Sequence, residues 1–446
     1  MMKLVAAVAV LIFALASTAF AEEALPPLSL SQTVSLALER NHALLAGRDN
    51  LEAARAASSR ASSAFLPKVE ISETFMRTDN PVMSFMSKLN QGRFTQADFA
   101  ISNLNDPSPI NNFNTRVQVT QPLFNGGKEL VGLELARAGE ESAAKGFERT
   151  RQETAFMAVR AYYGVALAAE QVKVADAAVR ATEEHVSVVE KFYGQDMVIS
   201  SEVLLAKVRL AEVKEMFIRA KNSEATARAS LNSLIARPLN NGFCLTDSLG
   251  MPEFQAALSD LQREALENRP DLARITSEEK GAASAVRLAK TDYLPNINLV
   301  GRYDIDDRSF LRGSGDSYTV MGTLNWKIFD GLQTASSVRE ARARQSSARH
   351  MLEGMRDAVA LEVLQNYNGV QEARQRVGTA AASVAEAEEG LRVLKLRFEN
   401  GMARTQEVLD AEAALTRART SRAQALYDYN IALAGLKLAV GRGETL

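Results

Sequence analysis

Gln121-Pro122-Leu123-Phe124-Asn125-Gly126-Gly127 is answered 205 positions later by Lys327-Ile328-Phe329-Asp330-Gly331. The same offset carries Tyr162-Tyr163-Gly164-Val165 onto Tyr367-Asn368-Gly369-Val370, and Glu202-Val203-Leu204 onto Glu407-Val408-Leu409, without a gap. Upstream the offset is 228: Ala37-Leu38-Glu39 falls on Ala265-Leu266-Glu267, and Phe65-Leu66-Pro67 on Tyr293-Leu294-Pro295. This period is far longer than the roughly 20–50 residues of a solenoid unit. It predicts two structurally equivalent halves, 22–240 and 241–446. The two offsets differ by 23, so the first half carries 23 extra residues between Pro67 and Phe124.

Residues 1–21 read as a removable targeting segment. Lys3 supplies the positive start, Leu4 to Ala16 the apolar stretch, and Ala19-Phe20-Ala21 the small-residue cleavage site. A mature chain beginning near Glu22 would lie outside the bacterial cytoplasm, and no cysteine follows the cleavage site to carry a lipid anchor. The lone Cys244 excludes an intrachain disulfide. A net charge of −2 gives no case for nucleic acid. No later segment is apolar for 18 residues. Membrane β-strands, which alternate, would leave a weaker trace.

Most of the mature chain reads as helix, because Ala, Glu, Arg, Leu and Gln dominate and Pro is absent from 126–237 and from 296–446. Helices are expected over 30–64, 126–193 and 200–236, and again over 258–292, 331–398 and 405–440. Lys128 to Tyr193 holds 66 residues without a strong break, roughly 100 Å at the helical rise. A heptad seam runs along Val172, Ala175, Val179, Thr182, Val186, Val189 and Tyr193. The second half repeats it at Val377, Ala380, Val384, Ala387, Leu391, Leu394 and Phe398. Each long helix stops at a tip, Gly194-Gln195-Asp196 or Glu399-Asn400-Gly401. The return helices are expected to start with Ser200 or Ser201 as N-cap in one half and Thr405 in the other.

Four segments read as strands: 68–77, 114–124, 296–305 and 317–329. Ile297, Leu299, Gly301, Tyr303 and Ile305 alternate with Asn298, Arg302 and Asp304, and Val320, Gly322, Leu324 and Trp326 with Thr319, Thr323 and Asn325. Each has about ten residues and one apolar side, the pattern of a membrane barrel strand. A soluble two-sided sheet fits the same pattern, but the leader and the long helices weigh against it. Four strands cannot close a barrel, and an open edge is not tolerated in lipid. Two, three or four copies would supply 8, 12 or 16 strands.

The ordered set of motifs resembles the TolC family of outer membrane efflux proteins over residues 28–443. It comprises the internal repeat, Phe-Leu-Pro at 65–67, Tyr-Leu-Pro at 293–295, Pro-Leu-Phe-Asn-Gly-Gly at 122–127, and Asn-Gly-x-x-x-Thr-Gln-Glu-Val-Leu-Asp-Ala at 400–411. The resemblance implies a mainly α fold with membrane β. Long antiparallel helical hairpins would form an α-barrel, and four strands per chain would enter a shared 12-stranded β-barrel. It implies a homotrimer in outer membrane lipid with a long periplasmic extension. Such a trimer would be the exit duct of a tripartite efflux pump or type I secretion system, serving a periplasmic adaptor protein and an inner-membrane transporter.

The residues agree with a passive duct rather than an enzyme. His42, His185 and His350 have no ligand spacing and are expected on helix surfaces. No Gly-x-x-x-x-Gly-Lys phosphate loop occurs, so energy would come from a partner. No cofactor is implied. By the resemblance, Glu407 and Asp410 are candidates for a periplasmic aperture ring; at i, i+3 they share one helix side. Gly194, Met197, Ser200, Gly401, Met402 and Thr405 are candidate adaptor contacts at the tips. A family latch between a tyrosine and an arginine is not reproduced, because Phe398 and Ala403 stand at those positions. The insertion, across Asp79–Asn112, is rich in Phe and Met and is expected to fold as a cap. A soluble periplasmic coiled-coil scaffold or adaptor would explain the helices but not four amphipathic strands at equivalent points.

Overall fold

A computed structural model of the chain describes residues 25–310 and 312–443. The leader expected over 1–21 lies outside them. The fold is mainly α-helical with one principal sheet, and it divides into two compact units that cut across the sequence halves. Of the described residues, one holds 25–47 with Arg149–Arg269 and 358–443; the other holds Arg48–Glu148 and Pro270–Asp357.

The second unit carries the sheet. Strands β2 (Lys68–Thr78), β3 (Ile110–Asn125), β5 (Asn296–Asp307) and β6 (Gly315–Asn325) pair antiparallel in the order β2-β3-β5-β6. Their register stacks like on like. Val69, Ile71 and Phe75 oppose Val119, Val117 and Phe113, and Tyr303 opposes Tyr318. On this side Val69, Ile71, Phe75, Leu299, Tyr318, Val320 and Leu324 are exposed. Glu73 interrupts it and takes the Thr115 hydroxyl. The opposite side is a polar lattice: Arg116 Nε meets Asp304 at 2.7 Å, and Arg302 Nε donates to Gln118 at 2.9 Å. The register slips between Pro122 and Phe124, where the proline has no N–H to offer the ladder.

Two strand bounds differ from expectation. β6 stops at Asn325, leaving Ile328 and Phe329 exposed outside the ladder. Its last residue pairs with Asn296, the first of β5, so residues beyond it have no partner strand. β3 begins early because Ile110 and Asn111 pair with Thr78 and Arg77. The insertion is folded into helices α3 (Pro81–Asn90) and α4 (Ile101–Asn105) with a 3-10 turn at Gln96–Phe99.

Helices run through both units. The expected helices at 30–64 and 258–292 are each broken, into α1 (Leu30–Arg40) and α2 (His42–Ser62), and into α7 (Leu258–Asn268) and α8 (Pro270–Thr291). Asn41 is extended, and its Oδ1 accepts from the N–H groups of Ala43 and Leu44, starting a new helix. Arg269 is extended because Pro270 follows it. The buried Arg269 guanidinium then reaches Glu362 at 2.5 Å and the Ala439 carbonyl at 3.1 Å.

The long helices are α5 (Lys128–Tyr193) and α9 (Gln333–Glu399), and the return helices are α6 (Ser200–Leu234) and α10 (Thr405–Ala439). On α9, Val363, Val370, Val377, Val384, Leu391 and Phe398 are buried at every seventh position, a single heptad seam. α5 is buried on several sides, including Ala158, Val159, Tyr162, Val165, Ala166 and Ala168. Leu28, Ala37, Ala158, Val165, Leu231, Ile235 and Phe243 form one core. A two-residue parallel pair, β1 (Pro27–Leu28) with β4 (Cys244–Leu245), borders it. Tyr162 fixes this border: its hydroxyl donates to Leu28 O at 3.1 Å and accepts from the Asp247 N–H at 3.0 Å.

Candidate functional site at the hairpin tips

Both tips use the same backbone device. Met197 N–H donates to Phe192 O at 2.9 Å and Asp196 N–H to Tyr193 O at 3.1 Å; Met402 N–H donates to Arg397 O at 2.8 Å and Gly401 N–H to Phe398 O at 2.9 Å. This is the paired bonding of a Schellman stop, which needs a left-handed residue. That residue is Gly401 at φ 72° in one tip and Asp196 at φ 57° in the other. Gly194 is an ordinary turn residue bonded to Glu190 O. Met197 and Met402 project into solvent.

The expected N-caps are corrected. Ile199 and Arg404 occupy the cap positions, with no side-chain cap bond. Ser200 and Thr405 become the first helical residues. Ser200 is exposed, but Thr405 is fully buried with its Oγ1 unpartnered, so it presents no surface for an adaptor. Glu407 and Asp410 are both exposed on the same side of α10, and Gln406 Nε2 donates to Asp410 Oδ1 at 2.8 Å. Their counterparts differ. Glu202 is half-buried with Oε2 enclosed and unpartnered, while Leu205 is exposed.

The interior between the hairpins joins seam residues to polar ones, His185 and Glu412, that periodicity alone did not single out. Val189, Val203, Leu391, Phe398 and Val408 form the apolar core of the tips. Phe398 stacks on Phe192 with centroids 5.5 Å apart and meets His185 at 5.0 Å. His185 was expected on a surface, yet it is only 5% exposed, with Nε2 unpartnered. Burial, reinforced by the Lys395 charge and opposed by Glu202, lowers its pKa to about 4. One turn earlier, the Thr182 hydroxyl donates to the buried Glu412 Oε2 at 3.2 Å, and Lys395 Nζ lies 3.4 Å from Oε1. Burial pushes the Glu412 carboxyl up against the pull of Lys395. The signal was the seam itself: His185 directly precedes seam residue Val186, and Thr182, Val186 and Val189 around it are all buried. His42 and His350 are exposed as expected.

Across the arms, Lys207 pairs with Glu190 and Lys214 with Glu183, each at 2.8 Å; Arg419 pairs with Glu388 at 2.8 Å and Arg376 with Asp428 at 3.0 Å. Such half-exposed pairs contribute about 0–1 kcal/mol each, so their value is in register. α6 also exposes Leu204, Leu205 and Val208 within three turns of its tip. Among the described residues there is no cluster of three or more His, Cys, Asp or Glu able to hold a metal, and no helix long and apolar enough to cross a membrane.

Long helical hairpins together with a four-stranded sheet that has one exposed, largely apolar side are the parts of an outer membrane channel protein. The chain matches the outer membrane efflux protein family over residues 33–237 and 261–442 and belongs to it; this is the TolC family. It is similar to the alkaline protease secretion protein AprF of Pseudomonas aeruginosa, 23% identical over 93% of this chain and 84% of the relative. It is also similar to the outer membrane protein TolC of Escherichia coli, 22% identical over 77% of this chain and 73% of the relative. The fold is shared with the CmeC outer membrane channel of Campylobacter jejuni: TM-score 0.80 at 18% identity, covering 93% of this chain and 86% of that one. The protein is thus an efflux channel protein of the outer membrane, in a family of channels rather than enzymes.

Proposed function

We propose that three copies of the chain form a channel-tunnel, the exit duct of a tripartite efflux pump or type I secretion system. The observation that carries this is the sheet. Its edge strands β2 and β6 each leave one outer edge unpaired, and one side of the sheet is largely apolar and exposed. In lipid every unpaired backbone group costs several kcal/mol, so each edge calls for the opposite edge of another copy. Three copies of four strands make a 12-stranded barrel with the apolar side toward lipid and the Arg116–Asp304 lattice facing water. The long helices would continue the tunnel through the periplasm. AprF is by name a protease secretion protein, which favours protein export as the task.

On this reading a periplasmic adaptor meets the exposed tip residues Gly194, Met197, Ser200, Gly401 and Met402, together with Leu204, Leu205 and Val208. The inner-membrane transporter supplies the energy. Glu407 and Asp410 of three chains set six carboxylates around the periplasmic aperture, which attract cations as charged channel rings do. The test is planar-bilayer conductance of the purified oligomer. It should conduct, and Glu407→Ala with Asp410→Ala should weaken block by trivalent cations by roughly ten-fold. Unchanged block removes the ring, and absence of conductance removes the duct.

A further inference from the structure

Helix α3 is folded inside out. Ser84 and Ser87, with Gln91 just past its end, are buried, while Val82, Met83, Met86 and Leu89 stand exposed; Val82 is 66% and Met86 52% accessible. A surface helix ordinarily does the reverse. Phe99 and Ile101, next in the same cap, are exposed as well.

The buried polar side is a strap across the end of the sheet. Ser84 Oγ donates to Thr78 O, where β2 ends, at 3.2 Å. Gln91 Nε2 donates to Asn111 O and to Asn112 Oδ1, both at 2.8 Å, at the start of β3. Asn112 Nδ2 passes the chain of bonds to Asp306 Oδ1 at the end of β5, at 2.6 Å. At the start of β6, a Cβ on Gly315 would fall 1.8 Å from Asn90 O, so backbone lies on backbone there. Lys88 and Asp98, 2.8 Å apart, and the edge-to-face rings of Phe85, Phe94 and Phe99 tie the cap to itself. It is a fixed body, not a free flap.

Its side of attachment decides what covers it. Asn112, Asp306 and Gly315 alternate in register with Asn114, Arg116, Asp304 and Ser317 on the polar side of the sheet. Membrane barrels turn the polar side inward. The strap therefore stands over the lumen, with its apolar face turned away from its own sheet. We propose that this face is covered by the α3 helices of the other copies, which meet over the outer mouth and close it with an apolar seal. The inference rests on the shared-barrel reading above. The seal occurs once per chain, because the second half joins β5 to β6 through only residues 308–314.

The test uses the full chain with its one cysteine removed, Cys244→Ser, and either Met86→Cys or Tyr318→Cys added. Tyr318 lies on the apolar side of the sheet, which the barrel reading assigns to lipid. In the assembled protein in vesicles, a short bismaleimide should link Met86→Cys into covalent dimers roughly ten-fold more than Tyr318→Cys, as a high effective concentration at the axis requires. A fluorophore at Tyr318→Cys, and not at Met86→Cys, should be quenched by brominated lipid tails. An intact oligomer with no link at position 86, or with lipid quenching there, overturns the seal and leaves the duct reading standing. Failure of both positions, with a monomeric chain and no quenching at 318, overturns the duct reading and the seal together.

Discussion

The two hairpin tips share a backbone and differ in chemistry. Gly401 takes the left-handed position that Asp196 takes in the first half. Phe398 is 4% exposed, whereas its counterpart Tyr193 is 49% exposed. Glu407 turns outward, whereas Glu202 turns its carboxylate inward without a partner. The second tip thus spends its aromatic residue on the core and its acids on the surface, and the first does the opposite. The two tips share what the backbone requires, a Schellman stop, and differ elsewhere. The side chains that diverged are those that packing or partners distinguish.

The difference should be largest at the aromatic pair. Phe398→Ala removes a ring that both Phe192 and His185 touch and should cost on the order of 3–5 kcal/mol. Tyr193→Ala should cost less than about 1 kcal/mol. Hydrogen exchange of the tip amides in the two variants checks this, and equal loss of protection would erase the asymmetry. Next is pH. Burial holds the His185 imidazole at about 4, below the ordinary histidine value of about 6.5, so the unfolded state binds the extra proton. Stability is then full above 6.5 and is lost as pH falls toward 4, by on the order of 3 kcal/mol. Lys395 deepens the effect, and Glu202 opposes it. Glu412 acts in the other direction: its raised pKa makes the charged form the costly one as pH rises through its folded value. His185→Gln separates the two, and should flatten the loss of tip protection between pH 6.5 and pH 4. Smallest is the turn. Gly401→Ala should destabilise by about 1–2 kcal/mol through the left-handed penalty. Asp196→Gly should be nearly neutral, because Asp tolerates that region better than Ala does.

Much of this was legible. Seam valines at heptad spacing, Gly401 at a stop and alternating strand residues each report a period that the backbone enforces. The breaks at Asn41 and Arg269 were less so, although Pro270 marks one of them. β1 and β4, two residues each, are too short to show any period. The end of β6 depends on where β5 starts, a long-range fact. His185 shows how a polar residue next to a buried seam escapes a reading that places lone helix histidines on the surface. Helix α3 goes further. Val82, Met86 and Leu89 have the spacing of a core face, yet Ser84, Ser87 and Gln91 are the buried side, because the ends of four strands offer carbonyls and amides rather than carbon. The candidate acids were found by resemblance; that one pair faces out while Glu202 faces in needed the packing of the tips.

The central claim is that this chain completes a membrane channel only in company. The most direct measurement is the mass of the native particle extracted from the outer membrane in mild detergent. Three chains per particle is the predicted result. A single chain, or recovery in the soluble periplasmic fraction, would contradict it.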